Sequence, residues 1–272
     1  MESPLRALLR LLAYAAATLV ALPVQIVALR LGGSAWCRLP VAYHRWCCRI
    51  MGFRVVVHGT MEPSRPTLFV ANHCSYSDVT VLGSVIAGSF IAKAEVASWP
   101  IYGFLARLQR TVFVDRLGRR ALEQRDGMIG RLEAGDNLIM FPEGTSNDGN
   151  RVLPFKSALF SVAQHRFENV GGLKIQPVSI AYTRLDGMPM GRALKPYFSW
   201  YGDMELASHM WALAGLGMVT VEIVFHPPVV MSAFGSRKAL AEHCHATVAA
   251  GVAAANSGWP AELPPNAAAG LA

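Results

Sequence analysis

The chain has 272 residues, 53% of them hydrophobic and only 16% charged, with a formal net charge of +7. A soluble domain is usually nearer a quarter charged, so part of this surface is expected to meet lipid. The length suits one large α/β domain with an appendage, and the five cysteines contain no C-x-x-C pair, which points to free thiols rather than a disulfide framework or a zinc site.

From Leu11 to Leu29 no residue is charged, between Arg10 and Arg30. That run approaches the roughly 20 residues a spanning helix needs. Pro23 interrupts it, so a spanning helix and a hairpin dipping into one leaflet both remain open. Arg6 and Arg10 precede the run, which a secretory signal would also show, but Arg30, Arg38, Arg45, Arg49 and Arg54 follow it closely. By the positive-inside rule this places the bulk of the chain on the cytoplasmic side of the inner membrane. Trp36 to Phe53 mixes aromatic and aliphatic residues with arginines and reads as an amphipathic helix at headgroup level. Residues 1–52 are therefore expected to form a membrane-anchoring two-helix element, touching anionic lipid. The positive charge is scattered and mostly Arg, with no zinc-finger spacing or lysine-rich arm, so nucleic acid is not expected as a partner.

After Gly52 the pattern alternates. Phe53–His58, Thr67–Ala71, Phe90–Lys93, Thr111–Val114, Asn137–Phe141, Lys174–Ala181 and Met218–His226 read as strands. Val79–Ile86, Trp99–Arg110, Arg119–Glu133 and Arg237–Ala255 read as helices. The alternation predicts an α/β domain over 53–258, a mixed, largely parallel sheet flanked by helices. Residues 259–272, rich in Pro and Ala, are expected to be a frayed tail.

Three predicted strands run into polar clusters, and ligands of α/β sheets gather beyond the carboxyl ends of strands. In the first cluster His73 is followed five residues later by Asp78. A carboxylate returning to the imidazole would fix its tautomer, as in a hydrolase triad, but no G-x-S-x-G elbow supplies a serine. The substrate is then expected to bring the hydroxyl. By itself this spacing is common. Asp115-Arg116 offers a forked cation for phosphate or carboxylate, or an ordinary surface ion pair. Phe141-Pro142-Glu143-Gly144-Thr145 is a strand entering a tight loop whose backbone N–H groups suit an anion or oxyanion, with Lys156 a further cation nearby. Cys74 adjoins His73, but a buried filler thiol is the preferred reading, and His243-Cys244-His245 would splay around a helix rather than ligate a metal.

Taken together, Asn72-His73-x-Ser75-x-x-Asp78, Phe113-Val114-Asp115-Arg116, Phe141-Pro142-Glu143-Gly144-Thr145 and Gln176-Pro177-Val178 resemble the four ordered blocks of the glycerolipid acyltransferases. The resemblance is to the bacterial 1-acylglycerol-3-phosphate acyltransferase (PlsC-like) branch. It implies a membrane-associated O-acyltransferase moving a fatty acyl group to the free hydroxyl of a lysolipid. The implied main acceptor is 1-acylglycerol-3-phosphate. His73 would be the base and Asp78 its orienter, and Arg116 would hold the acceptor phosphate. Glu143, Gly144 and Thr145 would shape the acceptor and oxyanion site, and Gln176-Pro177-Val178 the donor side. Acyl-CoA or acyl-carrier protein would be co-substrate, with no metal and no bound cofactor. The chain departs from the family pattern at Ser157-Ala158, where glycine is common. Trp200-Tyr201-Gly202-Asp203-Met204-Glu205 resembles a segment of a subset that includes lyso-ornithine lipid acyltransferases. That subset sets an aminolipid acceptor, with Arg116 facing a carboxylate, as the alternative. A non-catalytic lipid-binding protein of the same fold is the remaining rival.

Overall fold

The computed structural model describes residues 2–115, 121–165, 167 and 172–258. The expected frayed tail, Arg116 and the start of the helix expected from Arg119 lie outside the described residues.

Helix α1 (Pro4–Leu31) begins where Pro4 takes the first helical position and the Ser3 hydroxyl caps the Arg6 N–H at 3.3 Å. Two glycines turn the chain into α2 (Ala35–Met51), which packs back along α1. Its left-handed cap, Gly52, has φ 79°, and a side chain there would collide with the Arg10 guanidinium. That guanidinium donates to the carbonyls of Leu216 at 2.7 Å and Ala214 at 3.1 Å, at the carboxyl end of a later helix where a cation is favoured. Further along, Thr18 meets the Tyr43 hydroxyl, and Gln25 donates to the carbonyls of Trp36 and Leu108. Thus α1 is tied to the rest of the protein near both ends and at its middle, over a length of about 42 Å. Its outward face stays apolar, with Leu5, Leu8, Leu9, Leu12, Leu19 and Val20 exposed.

Among the described residues a nine-stranded sheet follows. The main strands are β1 (Phe53–Gly59), β2 (Thr67–Ala71), β3 (Ser89–Lys93), β4 (Val112–Val114), β5 (Leu138–Met140), β6 (Lys174–Leu185) and β8 (Val219–Phe225). Two-residue strands β7 (Met188–Pro189) and β9 (Val229–Val230) pair with β6. The order is β1-β8-β6-β2-β5-β3-β4. Strands β6, β2, β5, β3 and β4 run parallel, while β8 is antiparallel to β6 and β1 follows β8. The sheet is therefore mixed and largely parallel, as the alternation predicts. All five residues of central β2 are buried, as a strand covered on both faces requires.

Helices α3 (Ser77–Gly83), α4 (Tyr102–Leu108), α5 (Ala121–Glu133), α6 (Leu206–Gly215) and α7 (Arg237–Ser257) complete the fold. One core lies between the sheet and the α1, α2, α3 and α6 side, and includes Ala7, Cys48 and Met51 of the N-terminal helices. The other lies under α5 and α7. Two helices of the α/β domain start elsewhere than expected, and a third has no counterpart among the expected helices. α3 starts two residues earlier than the apolar run, at Ser77. α4 starts at Tyr102 because Trp99, before Pro100, is extended at ψ 128°. α6 was not anticipated at all.

Candidate active site

The site grows from the carboxyl end of β2. Asn72 continues that strand with its side chain: its amide accepts from the Ile180 N–H at 2.8 Å and donates to the Ile180 carbonyl at 3.0 Å, clamping β2 to β6. His73 then stands at the strand end with about a fifth of its side chain exposed, stacked on Phe141 at 4.2 Å between centroids.

A short turn brings Asp78, on the first turn of α3 and fully buried, back under the imidazole. His73 Nδ1 lies 2.8 Å from Asp78 Oδ2. The same oxygen accepts from the N–H groups of Cys74 at 2.8 Å and Ser75 at 2.9 Å. With Asp78 accepting, Nδ1 carries the ring proton, and the lone pair is on Nε2. A neutral imidazole so oriented is able to take a proton from a hydroxyl.

Glu143 is buried beneath this loop rather than presented to a ligand. Its Oε1 accepts from the His73 N–H at 2.8 Å, and its Oε2 accepts from the Asn147 amide at 2.7 Å and the Leu153 N–H at 2.8 Å. Burial, the largest influence, outweighs these hydrogen bonds and raises its carboxyl to about 7. Asn147 also donates to the His73 carbonyl at 3.2 Å, so both backbone groups of His73 are held from the loop after β5. Asn147 is not among the residues the sequence singles out. An Asn two residues before Gly149, whose N–H it accepts at 2.8 Å, is the local signal.

Gly144, at φ 68°, gives its N–H to the Phe141 carbonyl at 3.1 Å. Exposed Lys156 runs across it, close enough that a Cβ on residue 144 would sit 2.6 Å from Nζ. Thr145 is exposed at the rim. The structure thus gathers His73, Asp78, Glu143, Gly144, Thr145 and Lys156 in the loops after β2 and β5. Gln176 sits elsewhere: fully buried on β6, it braces the backbone at Thr60, Glu62 and His226. That role differs from the expected donor-side one.

Trp200, which opens the Trp200–Glu205 segment, packs against the loop after β2. The Trp200 N–H donates to the Cys74 carbonyl at 2.8 Å, its ring meets Tyr76 edge-on, and the Tyr76 hydroxyl bonds His209 of α6 at 3.1 Å. Cys74 itself is buried, and burial together with Asp78 pushes its thiol well above the ordinary range, which suits the filler reading. His243 and His245 contact different neighbours, Phe234 and Phe155, and among the described residues no group of three or more His, Cys, Asp or Glu is placed to hold a metal.

A family model described as Acyltransferase matches residues 54–181. The lyso-ornithine lipid O-acyltransferase of Brucella abortus is 44% identical over 244 residues, covering 89% of this chain and 91% of that protein. The lyso-ornithine lipid O-acyltransferase of Rhizobium meliloti is 42% identical, covering 81% of this chain and 77% of that protein. The 1-acyl-sn-glycerol-3-phosphate acyltransferase of Neisseria gonorrhoeae is 32% identical, covering 61% of this chain and 62% of that protein. The crystal structure of PlsC, the 1-acyl-sn-glycerophosphate acyltransferase of Thermotoga maritima, superposes with a TM-score of 0.62 at 24% identity, covering 82% of this chain and 81% of that one, a likeness of fold.

Proposed function

Because the chain belongs to the acyltransferase family and is a lysolipid acyltransferase, we propose that its acceptor is lyso-ornithine lipid. This replaces the 1-acylglycerol-3-phosphate expected first from the sequence. The observation that carries the choice is the extent of similarity: 44% over 91% of the lyso-ornithine lipid enzyme, against 32% over 62% of the glycerol-phosphate one. The donor in this reading is acyl-CoA or acyl-carrier protein. His73 Nε2 takes the acceptor's hydroxyl proton as that oxygen attacks the thioester carbonyl. The C–O bond forms, the C–S bond breaks on collapse, and the imidazolium proton passes to the departing thiolate. Asp78 holds the ring throughout. Lys156 supplies positive charge beside the 143–145 loop, and Arg116 is assigned to the anionic group of the acceptor.

The test offers the purified enzyme a panel of lysolipids with both donors and reads products by mass spectrometry. The expected outcome is a kcat/KM for lyso-ornithine lipid roughly 100-fold above that for 1-acylglycerol-3-phosphate, the discrimination a polar headgroup site supports. The reverse preference overturns the acceptor and leaves the family untouched.

In the same reading α1 lies in one leaflet, on the cytoplasmic side of the inner membrane. Its outward leucines meet acyl chains, and the arginines after it meet anionic headgroups. Trp99, Ile101, Tyr102 and Phe104, exposed around the start of α4, are further apolar side chains for the same lipid. Deleting α1 and α2 is a poor test, since both contribute to the core. Leu12→Glu with Leu19→Glu, both more than half exposed, is the better one. The pair is expected to cut binding to anionic vesicles at least about tenfold with little change in Tm. Undiminished vesicle binding would place the anchor elsewhere.

A further inference from the structure

We propose that Tyr182 is a positioning residue for the His73/Asp78 pair, holding the carboxylate plane through the oxygen that the imidazole does not touch. The inference rests on the dyad reading above.

Three good donors converge on Asp78 Oδ2, and all of them come from the loop that Asp78 itself caps. Oδ1 receives one strong donor, the Tyr182 hydroxyl at 2.9 Å, beside the weak Cys74 thiol at 3.7 Å. The Ser77 hydroxyl lies 2.7 Å from the Tyr182 oxygen. With Tyr182 donating to the carboxylate, Ser77 donates to Tyr182, so donation runs from Ser77 to Tyr182 to Asp78, which His73 reaches as a donor from the other side. The terminal torsion of an aspartate is soft and roughly two-fold, so one oxygen held by a single short loop leaves the plane free to rock. A donor from a different element removes that freedom. Tyr182 qualifies because β6 is hydrogen-bonded to β2, in register Val178 to Ala71, and carries the phenol up to the strand end.

Tyr182 is itself fixed. Its ring is buried, stacks on Phe198 at 6.3 Å and meets Phe53 edge-on. Burial and the neighbouring Asp78 push its hydroxyl well above the ordinary range, so it stays a donor. Phe198 lies two residues before Trp200, whose N–H bonds the Cys74 carbonyl in the catalytic loop. The stretch from Phe198 to Trp200 therefore reaches the dyad by two routes, one through backbone and one through the Tyr182 ring.

The test is Tyr182→Phe, which keeps the stacked ring and removes only the hydroxyl. A hydrogen bond to a charged group sets the scale of the loss. The expected result is a kcat about 10- to 100-fold lower, with KM for donor and acceptor within about twofold of wild type. Ser77→Ala, one step further out, is expected to lower kcat about 2- to 5-fold, and it serves as the second variant if Tyr182→Phe fails to fold. The decisive measurement is the cycle with Asp78→Asn. If Tyr182 acts through Asp78, adding Tyr182→Phe to Asp78→Asn costs less than about twofold more. A merely structural tyrosine would show its full loss again in that background, and this outcome overturns the proposal. So does a Tyr182→Phe kcat within twofold of wild type while Asp78→Asn is crippled. Full activity in Asp78→Asn alone would instead remove the dyad reading, and this inference with it.

Discussion

Purified His73→Ala is expected to turn over about 10²- to 10⁴-fold more slowly than wild type, the range general-base catalysis commands. The imidazole is the only side chain in the loop after β2 that both meets Asp78 Oδ2 through Nδ1 and keeps partial exposure. Among the described residues of that loop no other side chain takes its place: Cys74 is buried and its thiol is raised away from reactivity. The loss should fall on kcat rather than on KM, because a base acts on the hydroxyl proton as the bond forms. The backbone of residue 73 carries the contacts to Glu143 and Asn147, and alanine keeps both, so the variant should fold and bind vesicles like wild type. Near-normal turnover by this variant would end the mechanism proposed above.

Glu143→Gln should damage the protein twice. Both carboxylate oxygens accept hydrogen bonds, one from His73 N–H and the other from Asn147 and Leu153 N–H. A glutamine must turn its NH₂ toward one of those donors. The N–H groups of His73 and Leu153 cannot turn away, and the Asn147 amide is held by the Gly149 N–H and the His73 carbonyl. A buried donor left facing a donor costs about 1–3 kcal/mol, or several degrees in Tm. If the glutamine NH₂ faces His73, the base loses its anchor and kcat falls with it, by about tenfold or more. The wild-type carboxyl also titrates in the folded state at about 7, raised chiefly by burial. A raised folded value means its contribution to stability is full below its ordinary value near 4.5 and is lost as pH rises through about 7. Gln does not titrate. The Tm gap between wild type and Glu143→Gln should be widest near pH 5 and narrower at pH 8. A gap that widens with pH would contradict the assignment.

The strands that matter were readable because each is a short apolar run with a hard boundary. Pro66 and Asn72 bracket Thr67–Ala71, and the observed β2 has those same limits. The polar residues just past β2 and β5 stood out for the same reason, since a buried strand tolerates none of them inside. Helix α6 was hidden because Leu206–Gly215 is apolar on nearly every side and lacks a side-chain cap, so no period announced it. Glu143 and Gln176 were visible as members of motifs, but their work is bracing backbone, and a motif does not say which way a side chain points. Tyr182 was invisible for a plainer reason. Its partner is Asp78, far away in the chain, and only the pairing of β6 with β2 makes them neighbours.

The salt-like grip of Arg10 on the end of α6 has a consequence for the order in which the protein is made. The carbonyls it binds belong to residues 204 and 206 positions later. At about 5–20 residues per second, α1 waits on the order of 10–40 s after its own synthesis before that partner exists. During the wait α2 already packs along α1, but the Arg10 end of the helix lacks its α6 partner and the leucine-rich outer side is uncovered. If α1 lies on lipid as proposed above, a membrane near the ribosome would do more than hold the finished enzyme: it would cover the first helix until the last third of the chain arrives to claim it.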